Sequence, residues 1–386
     1  MIKAYSYRIY PNQKQIEMFV NHFGCVRYVY NYGLGRKIEE YEKTGKSPSC
    51  FDLMKEVTKL KKDLPWLSKV NSQSLQVSLR NLDNAYTKFF KEHKGFPNFK
   101  NKNSQQSFSC PQLVKLNEKY LSIPKIKDIK CIVSRKFEGK IKTTTIKKTT
   151  TGKYFVSILV DNGKKLPKKL KIKKSIGIDL GIKSFATIST GEKVNNPRHL
   201  NKSLGRLKVL QRRLSKKQKG SKNRDKAKYK VALIHEKITN QRKDFLNKLS
   251  TRLVSENQAI CLEDLNVAGM IRNHCLARHI QDCGWGEFVR QLEYKSEWSG
   301  KHIFKIGRFQ PSSKICSCGA INHDLKLSDR VWTCKVCGLT HDRDILASQN
   351  ILKFSGQGLS DVSVEILSLN KSVKQKAIYS SPNKRI

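Results

Sequence analysis

Two short apolar runs, each ending in a carboxylate, constrain the fold of this chain more than any other feature. Ile176–Ile178 leads to Asp179, and Ile260–Leu262 leads to Glu263. Such runs are typical of strands buried inside a sheet. A third acidic stretch, His341–Asp344, opens a helix-like segment, so we expect all three stretches to converge at one edge of a sheet. Three converging carboxylates are typical of a site for divalent cations that cut phosphodiesters.

Strand geometry limits which carboxylates can meet. Because side chains alternate along a strand, Glu263 and Asp264 point to opposite faces, and only one of them can join Asp179. We predict that Glu263 does so and that Asp264 has a capping or turn role. At the helix start, capping alone accounts for Asp342, and Asp344 is the predicted ligand. The simpler alternative for Asp179 is a turn cap.

The net charge of the chain predicts a polyanionic partner. Lys and Arg number 77 against 31 Asp and Glu, which gives a formal net charge of +46. Such an excess repels itself unless a polyanion neutralises it, and nucleic acid is the natural candidate. An anionic membrane is the alternative, but the basic residues are spread over the whole length rather than gathered on one amphipathic helix. With no membrane span or signal-peptide pattern, we expect a cytoplasmic, nucleoid-associated protein with no membrane partner.

Changes of hydrophobic period divide the chain. Alternating residues near the start predict a strand, a 3.6-residue period follows, and a period of two dominates from about residue 106. This pattern predicts an α+β multidomain protein in which a β-barrel, residues 1–10 and 106–170, is interrupted by a helical region, residues 11–105. Residues 175–354 are predicted to form the α/β domain with the carboxylates. Residues 355–386 are rich in Ser, Gly, Lys and Asn, and we expect a flexible tail.

Two basic segments are candidates for contact with nucleic acid. Residues from about 200 to 254 are predicted to be the longest helical stretch, and their lysines have few acidic partners at i+4 spacing. Residues 95–102 form a basic turn with two aromatic residues, a composition that could contact phosphates or stack on a base. A solvated charged surface is the alternative for both segments.

Four late cysteines predict a structural zinc site. Cys316 and Cys318 form one pair and Cys334 and Cys337 the other, and each pair is followed by Gly. This pattern fits a zinc ribbon over residues 311–340, inserted ahead of Asp344. The first pair is one residue shorter than the usual C-x-x-C. His323 or His341 could therefore replace a thiolate, and a metal-free loop is the alternative.

Several motifs in this order resemble the TnpB family of RNA-guided nucleases encoded by insertion sequences. The motifs cover most of the chain. They are Tyr7–Pro11, Phe23–Asn31, Gly95–Pro97, Gly177–Gly181, Leu262–Asn266, Trp285–Phe288, Pro311–Lys314, the cysteine pairs and Asp342–Asp344.

The resemblance implies a wedge-type barrel with an inserted recognition region, then an RNase H-like (RuvC) nuclease domain that carries the zinc ribbon. Asp179, Glu263 and Asp344 match the catalytic positions and would hold two Mg²⁺ ions, and Cys316, Cys318, Cys334 and Cys337 would hold Zn²⁺. It further implies a monomeric ribonucleoprotein. In this family a guide RNA derived from the transposon end pairs with double-stranded DNA beside a short transposon-adjacent motif, and the protein cuts both strands.

The chain departs from the family pattern at the short cysteine pair, at Leu346, where an Asn is usual, and at Gln310, where an aromatic residue is usual. One alternative is therefore an RNA-guided DNA-binding protein whose nuclease is weakened or lost. Another is an RNase H-like strand transferase, but those enzymes usually end their triad in Glu. Since all three carboxylates are present, we favour an active, Mg²⁺-dependent endonuclease.

Overall fold

The structure is a computed structural model that describes residues 1–308, 310–326 and 328–356. The chain divides into two units, Met1–Lys165 and Leu166–Ile386, which are presented in turn. The predicted tail lies outside the described residues from residue 357 onward. Among the described helices, none combines the length and the apolar character that a membrane span requires.

The described residues of the first unit form a seven-stranded antiparallel sheet, in the order β2-β6-β7-β1-β5-β4-β3. The first strand thus lies between strands that follow it by more than a hundred residues. The described strand pairs leave β2 and β3 at opposite ends of the sheet, so closure into a barrel stays a prediction. The strands are β1 (Ile2–Tyr10), β2 (Gln106–Cys110), β3 (Lys115–Leu116), β4 (Tyr120–Ile123), β5 (Ile126–Ile132), β6 (Lys140–Lys148) and β7 (Tyr154–Asp161).

Three helices lie between β1 and β2 in the sequence. They are α1 (Gln13–Thr44), α2 (Cys50–Asp63) and α3 (Ser72–Glu92), with a 3-10 turn at Pro65–Lys69. Asn12 begins α1 with a capping box to Gln15, which satisfies amide groups that the first helical turn leaves free.

Helices and sheet of this unit share one core. Phe19 of α1 lies 5.8 Å from Phe108 of β2 and 5.5 Å from Tyr154 of β7, measured between ring centroids. Burial alternates along β7, where Tyr154, Val156, Ile158 and Val160 are buried, as the period of two predicts.

The second unit contains a five-stranded sheet in the order β10-β9-β8-β11-β12. Strands β8, β11 and β12 are parallel, whereas β9 and β10 run antiparallel to their neighbours. The strands are β8 (Ser175–Leu180), β9 (Ser184–Ile188), β10 (Lys193–Asn195), β11 (Ala259–Glu263) and β12 (His302–Ile306).

The predicted long helical stretch is two helices that pack together, α4 (His199–Ser215) and α5 (Lys222–Glu256). Leu207, Ile234 and Ile238 join these helices, while Leu246 and Leu253 of α5 belong to the sheet's core. Further helices are α6 (Val267–Met270), α7 (His274–Cys283), α8 (Trp285–Trp298) and α9 (Arg343–Phe354). A hairpin of β13 (Val331–Thr333) and β14 (Thr340–Asp342) precedes α9.

Candidate functional site

The register of two parallel strands places Asp179 beside Glu263. Leu262 of β11 pairs with Ile178 of β8, so the next residue of each strand is Glu263 and Asp179. Residues directly opposite each other in adjacent strands project on the same face of the sheet. Both carboxylates therefore lie at the carboxyl ends of neighbouring strands and on one face.

Helix α9 brings Asp344 to the same place because it crosses β8 at Gly177. A Cβ atom on Gly177 would lie 2.0 Å from the carbonyl oxygen of Ser348, so only glycine allows this approach. Asp344 lies one helical turn before Ser348, about 6 Å along the axis. Asp179 lies two residues beyond Gly177 on the same strand face, a similar distance of roughly 6.6 Å. The two acids therefore meet at one end of the crossing.

The electrostatics of Asp179 reflect this convergence. Burial, together with the negative charges of Glu263 and Asp344, raises the pKa of Asp179 to about 7, against the smaller opposing effect of Arg343 and Arg330. The side-chain oxygens of the three carboxylates lie farther apart than the ligand atoms of a site already shaped around a metal ion. In the described part of the chain, only the four late cysteines place three or more candidate ligand atoms within 4.8 Å of one another.

The sequence did not predict the hydrogen bonds that hold the side chain of Glu263 in place. Ser312, which is buried, donates from Oγ to Glu263 Oε1 at 2.5 Å. Asn350 of α9 donates in turn from Nδ2 to the carbonyl oxygens of Ser312 and Ile315, both at 2.7 Å. The motif Pro311–Lys314 contains Ser312, but nothing in the sequence indicated its partner.

Arg330 was also missed. Its Nη1 lies 3.4 Å from Asp344 Oδ1, which places a guanidinium at the edge of the acidic group. The arginine lies just before β13, in the insertion that contains the cysteines. That insertion therefore contributes a positive charge to the carboxylate site.

The neighbouring acids have structural roles. Asp342 is the N-cap of α9, where its Oδ1 accepts from the amides of Asp344 and Ile345 at 3.1 and 3.2 Å, so its predicted capping role is confirmed. Asp264 pairs with Arg308, whose Nε lies 2.8 Å from Oδ2. Asn266 rather than Asp264 caps α6, and a turn role for Asp264 stays a prediction.

The four cysteines form the compact group that their spacing predicted. Cys316 Sγ lies 3.5 Å from Cys337 Sγ, and Cys318 Sγ lies 3.7 Å from Cys334 Sγ. Four thiolates in a tetrahedron around Zn²⁺ are separated by roughly 3.8 Å, given Zn–S bonds near 2.3 Å. The short first pair is therefore compatible with four-cysteine ligation.

Backbone geometry supports the same group. Gly319 and Gly338, which follow the two pairs, have φ angles of 93° and 74°, which side chains on other residues disfavour. The amides of Cys337 and Val336 lower the pKa of the Cys334 thiol to about 6, which favours the thiolate that a metal requires. His341 Nε2 lies 3.0 Å from Cys316 Sγ, but the group of candidate ligands contains the four cysteines and neither His341 nor His323.

Leu346 has a packing role at the position where it departs from the family pattern. It is buried against Cys316, Leu325, Trp332 and Cys334. An apolar residue at this point of α9 joins the cysteine insertion to the helix that holds Asp344. The departure therefore does not remove a group from the carboxylate site.

The C-terminal end of α4 presents a basic surface. Arg212, Arg213, Lys216 and Lys217 are exposed at the C-terminal end of α4, and within the described residues no carboxylate forms an ion pair with them. Like charges at this density favour binding of a polyanion.

The comparisons with known proteins agree with this arrangement. A family model described as Probable transposase (OrfB_IS605) matches residues 155–274, and a Cas12f1-like TNB domain model matches residues 285–351. A helix-turn-helix model of the same OrfB_IS605 group matches residues 1–46, which here form β1 and the single helix α1.

Relatives extend over nearly the whole chain. A protein from Streptomyces pristinaespiralis, named as a proposed RNA-guided DNA endonuclease, is 38% identical over 91% of this chain and 88% of its own length. The similarly named InsQ of Escherichia coli is 30% identical over 91% of this chain and 92% of its own.

Among solved structures, a Cas12f1 complex with guide RNA and target DNA has a similar fold. Its TM-score is 0.58 at 15% identity, and the match covers 88% of this chain and 83% of that one. These relatives show that the chain belongs to the TnpB family of IS605 OrfB-type proteins, and the carboxylate site and the cysteine insertion fit that family.

Proposed function

We propose that this protein is an RNA-guided DNA endonuclease in which Asp179, Glu263 and Asp344 hold the metal ions that cut DNA. The observation that carries the proposal is the meeting of these three carboxylates at one end of the β8–α9 crossing. The names of the curated relatives support the same activity.

The donor set suits Mg²⁺. Magnesium prefers carboxylate oxygens, and a cation at this point would offset both the burial and the mutual repulsion of the carboxylates, which together raise the pKa of Asp179. When bound, a pair of Mg²⁺ ions activates the attacking water and stabilises the leaving oxygen of the phosphodiester. The three acids provide the negative charge that holds the cations, and Arg330 provides a positive charge next to Asp344.

The nucleic-acid partners follow from charge and relationship. We assign a transposon-derived guide RNA and a double-stranded DNA target beside a short adjacent motif, with base pairing as the source of sequence specificity. The net charge of +46 suits a protein that holds such a heteroduplex by its phosphates. We further propose that one copy of the chain acts per guide RNA, at the nucleoid.

The domain roles follow the same scheme. We assign residues 1–10 and 106–170 to a wedge-like barrel, residues 11–105 to target recognition and residues 175–354 to a RuvC-like nuclease domain. Residues 311–340 would form its structural zinc ribbon, with Cys316, Cys318, Cys334 and Cys337 as ligands, since their Sγ spacing suits tetrahedral Zn²⁺.

The proposal is tested by cleavage with the native guide. The full chain is expressed with its flanking locus, the bound RNA is sequenced, and the complex is given plasmids with a guide-matched target and randomised flanks in Mg²⁺. We expect cleavage of plasmids with one flanking motif, and none with Asp179→Ala.

The matched control is Glu256→Gln, a change to an exposed carboxylate at the end of α5 that should cut at the normal rate. Cleavage that persists in Asp179→Ala would show that the assigned site is wrong. A complex that binds RNA and target but cuts under no condition would instead favour a DNA-binding protein.

A further inference from the structure

The C-terminal end of α3 and the loop after it present a cluster of aromatic rings to solvent. The ring centroid of Phe89 lies 5.0 Å from that of Phe90 and 5.4 Å from that of Phe96. The ring centroid of Tyr86 lies 5.6 Å from that of Phe96 and 6.3 Å from that of Phe90. Phe90 is 67% exposed and Phe96 is 45% exposed. We call these four residues the aromatic patch. A contiguous exposed group of large apolar side chains is typical of a binding surface.

Contacts to α1 hold the patch in place. Asn31 of α1 donates from Nδ2 to the carbonyl oxygen of Lys100 and accepts from its amide, both at 2.8 Å. Lys100 Nζ lies 3.5 Å from the centroid of the Tyr30 ring, and Pro97 is buried. Tyr86 packs against the buried pair Leu34 and Leu82. The rings are therefore presented on fixed backbone, which lowers the entropic cost of binding.

Positive charge surrounds the rings. Lys88, Lys91 and Lys94 are exposed on the same turn and loop, where Glu92 is the single acid between residues 86 and 100. Within the described residues, none of these lysines forms an ion pair. Flat apolar rings beside free ammonium groups complement a ligand that has both planar faces and phosphates.

We propose that the aromatic patch binds unpaired bases of single-stranded nucleic acid by stacking, while the adjacent lysines contact its phosphates. Bases inside a duplex stack on each other and offer only their phosphates to such a surface, whereas unpaired bases expose their faces. The inference rests on the proposed function only in requiring a nucleic-acid ligand, and it adds a site for unpaired nucleotides apart from the carboxylates.

The test compares single-stranded and duplex ligands. The full chain and the variant Phe90→Ala/Phe96→Ala are titrated into a fluorescein-labelled 20-nucleotide oligothymidine and a labelled 20-base-pair duplex at physiological salt. We expect the variant to bind oligothymidine about 10-fold more weakly. Its affinity for the duplex should change less than about twofold, because the duplex is bound through its phosphates and the variant keeps the lysines that contact them.

Two further variants make the outcome specific. Phe51→Ala removes a phenyl ring that is 72% exposed on α2, outside the patch, and should leave both affinities unchanged. Phe96→Trp should retain binding, and oligothymidine should quench its tryptophan emission by more than it quenches the four tryptophans of the normal chain.

Equal affinity of Phe90→Ala/Phe96→Ala and the normal chain for oligothymidine would overturn the proposal. So would equal losses for the single strand and the duplex, or a change in sedimentation that shows the patch joining two copies. A failed patch leaves the guided cleavage assay unaffected, so its failure is distinct from failure of the nuclease assignment.

Discussion

Ser312 Oγ donates a 2.5 Å hydrogen bond to Glu263 Oε1, and this contact joins the cysteine insertion to the carboxylate site. The serine lies four residues before Cys316, at the start of the insertion. Asn350 of α9 also holds the start of the insertion, through two hydrogen bonds to its backbone. The hydrogen bond fixes Oε1 of Glu263. Because both oxygens belong to one rigid carboxylate group, the same bond also fixes the orientation of Oε2.

We expect Ser312→Ala to slow Mg²⁺-dependent cleavage by roughly 10-fold and to raise the Mg²⁺ concentration for half-maximal rate. Loss of a partner that orients a metal-binding carboxylate typically costs 10–100-fold in affinity or activity. The measurement is the cleavage rate over a Mg²⁺ titration. Ser312→Thr keeps the hydroxyl and should recover most of the rate.

Ser313→Ala is the matched control for this position. Ser313 is the neighbouring serine, and no hydrogen bond joins it to a carboxylate of the described site. Its Mg²⁺ dependence should equal that of the normal chain. If Ser312→Ala shows the same Mg²⁺ dependence as this control, the serine does not orient Glu263.

Gly177→Ala should destabilise the second unit by at least about 2 kcal/mol, because overpacked contacts of this kind typically cost 1–3 kcal/mol and the new Cβ meets backbone rather than a flexible side chain. It would lie 2.0 Å from the Ser348 oxygen and 2.8 Å from the Leu352 amide nitrogen. The measurement is the midpoint of thermal or urea unfolding.

Gly205→Ala makes the same chemical change on α4, where an added Cβ meets no atom within 4 Å. This variant should be more stable by roughly 0.5–1 kcal/mol, since alanine favours the helix over glycine. A Gly177→Ala protein as stable as the normal chain would contradict the close crossing of β8 and α9.

Cys334→Ser should lower bound zinc to well below one ion per chain and reduce the Tm by several degrees, since a closed four-thiolate site contributes directly to folding. The measurement is metal content by atomic emission, together with thermal unfolding. Cys275→Ser changes an exposed cysteine outside the group and should alter neither quantity. Full zinc content in Cys334→Ser would end the four-cysteine assignment.

Local pattern was sufficient to predict the residues of the carboxylate site, and strand geometry explains why. The alternation of side chains separated Glu263 from Asp264, and the parallel register of β8 and β11 then placed Glu263 beside Asp179. The compact thiol group was equally accessible, because its ligand spacing is a local property of the chain. Whether these residues perform the chemistry is a prediction for the cleavage assay.

What sequence could not predict depends on contacts between distant segments. The hydrogen bond from Ser312 to Glu263 spans 49 residues and follows from how α9 and the insertion pack, for which the chain has no periodic signal. Arg330 is one of many basic residues, and only the fold distinguishes it by placing it next to Asp344. The break between α4 and α5 was missed because the apolar period continues on both sides of it.

Acid should weaken the first unit through His22. This side chain is 1% exposed, its Nε2 accepts from the Asn71 amide at 3.1 Å, and its Nδ1 therefore carries the proton that it donates to the Met18 carbonyl at 2.7 Å. Burial lowers the pKa of His22 below its ordinary value of 6.5, because a second proton would bring a charge into the core and an N–H against the Asn71 N–H.

Below pH 6.5 the unfolded chain therefore binds a proton at this histidine that the folded chain does not. Stability is then lost as the pH falls from 6.5 through the lower folded-state pKa. We expect His22→Gln to have a lower Tm than the normal chain at pH 7.5. Between pH 7.5 and 5.5 its Tm should then fall less than that of the normal chain, by roughly 2–4 °C for each kcal/mol of proton-linked destabilisation that the substitution removes. His235→Gln, which changes an exposed histidine on α5, should show the full decrease. If the Tm of both variants falls equally between pH 7.5 and 5.5, protonation of His22 does not cause the loss of stability in acid.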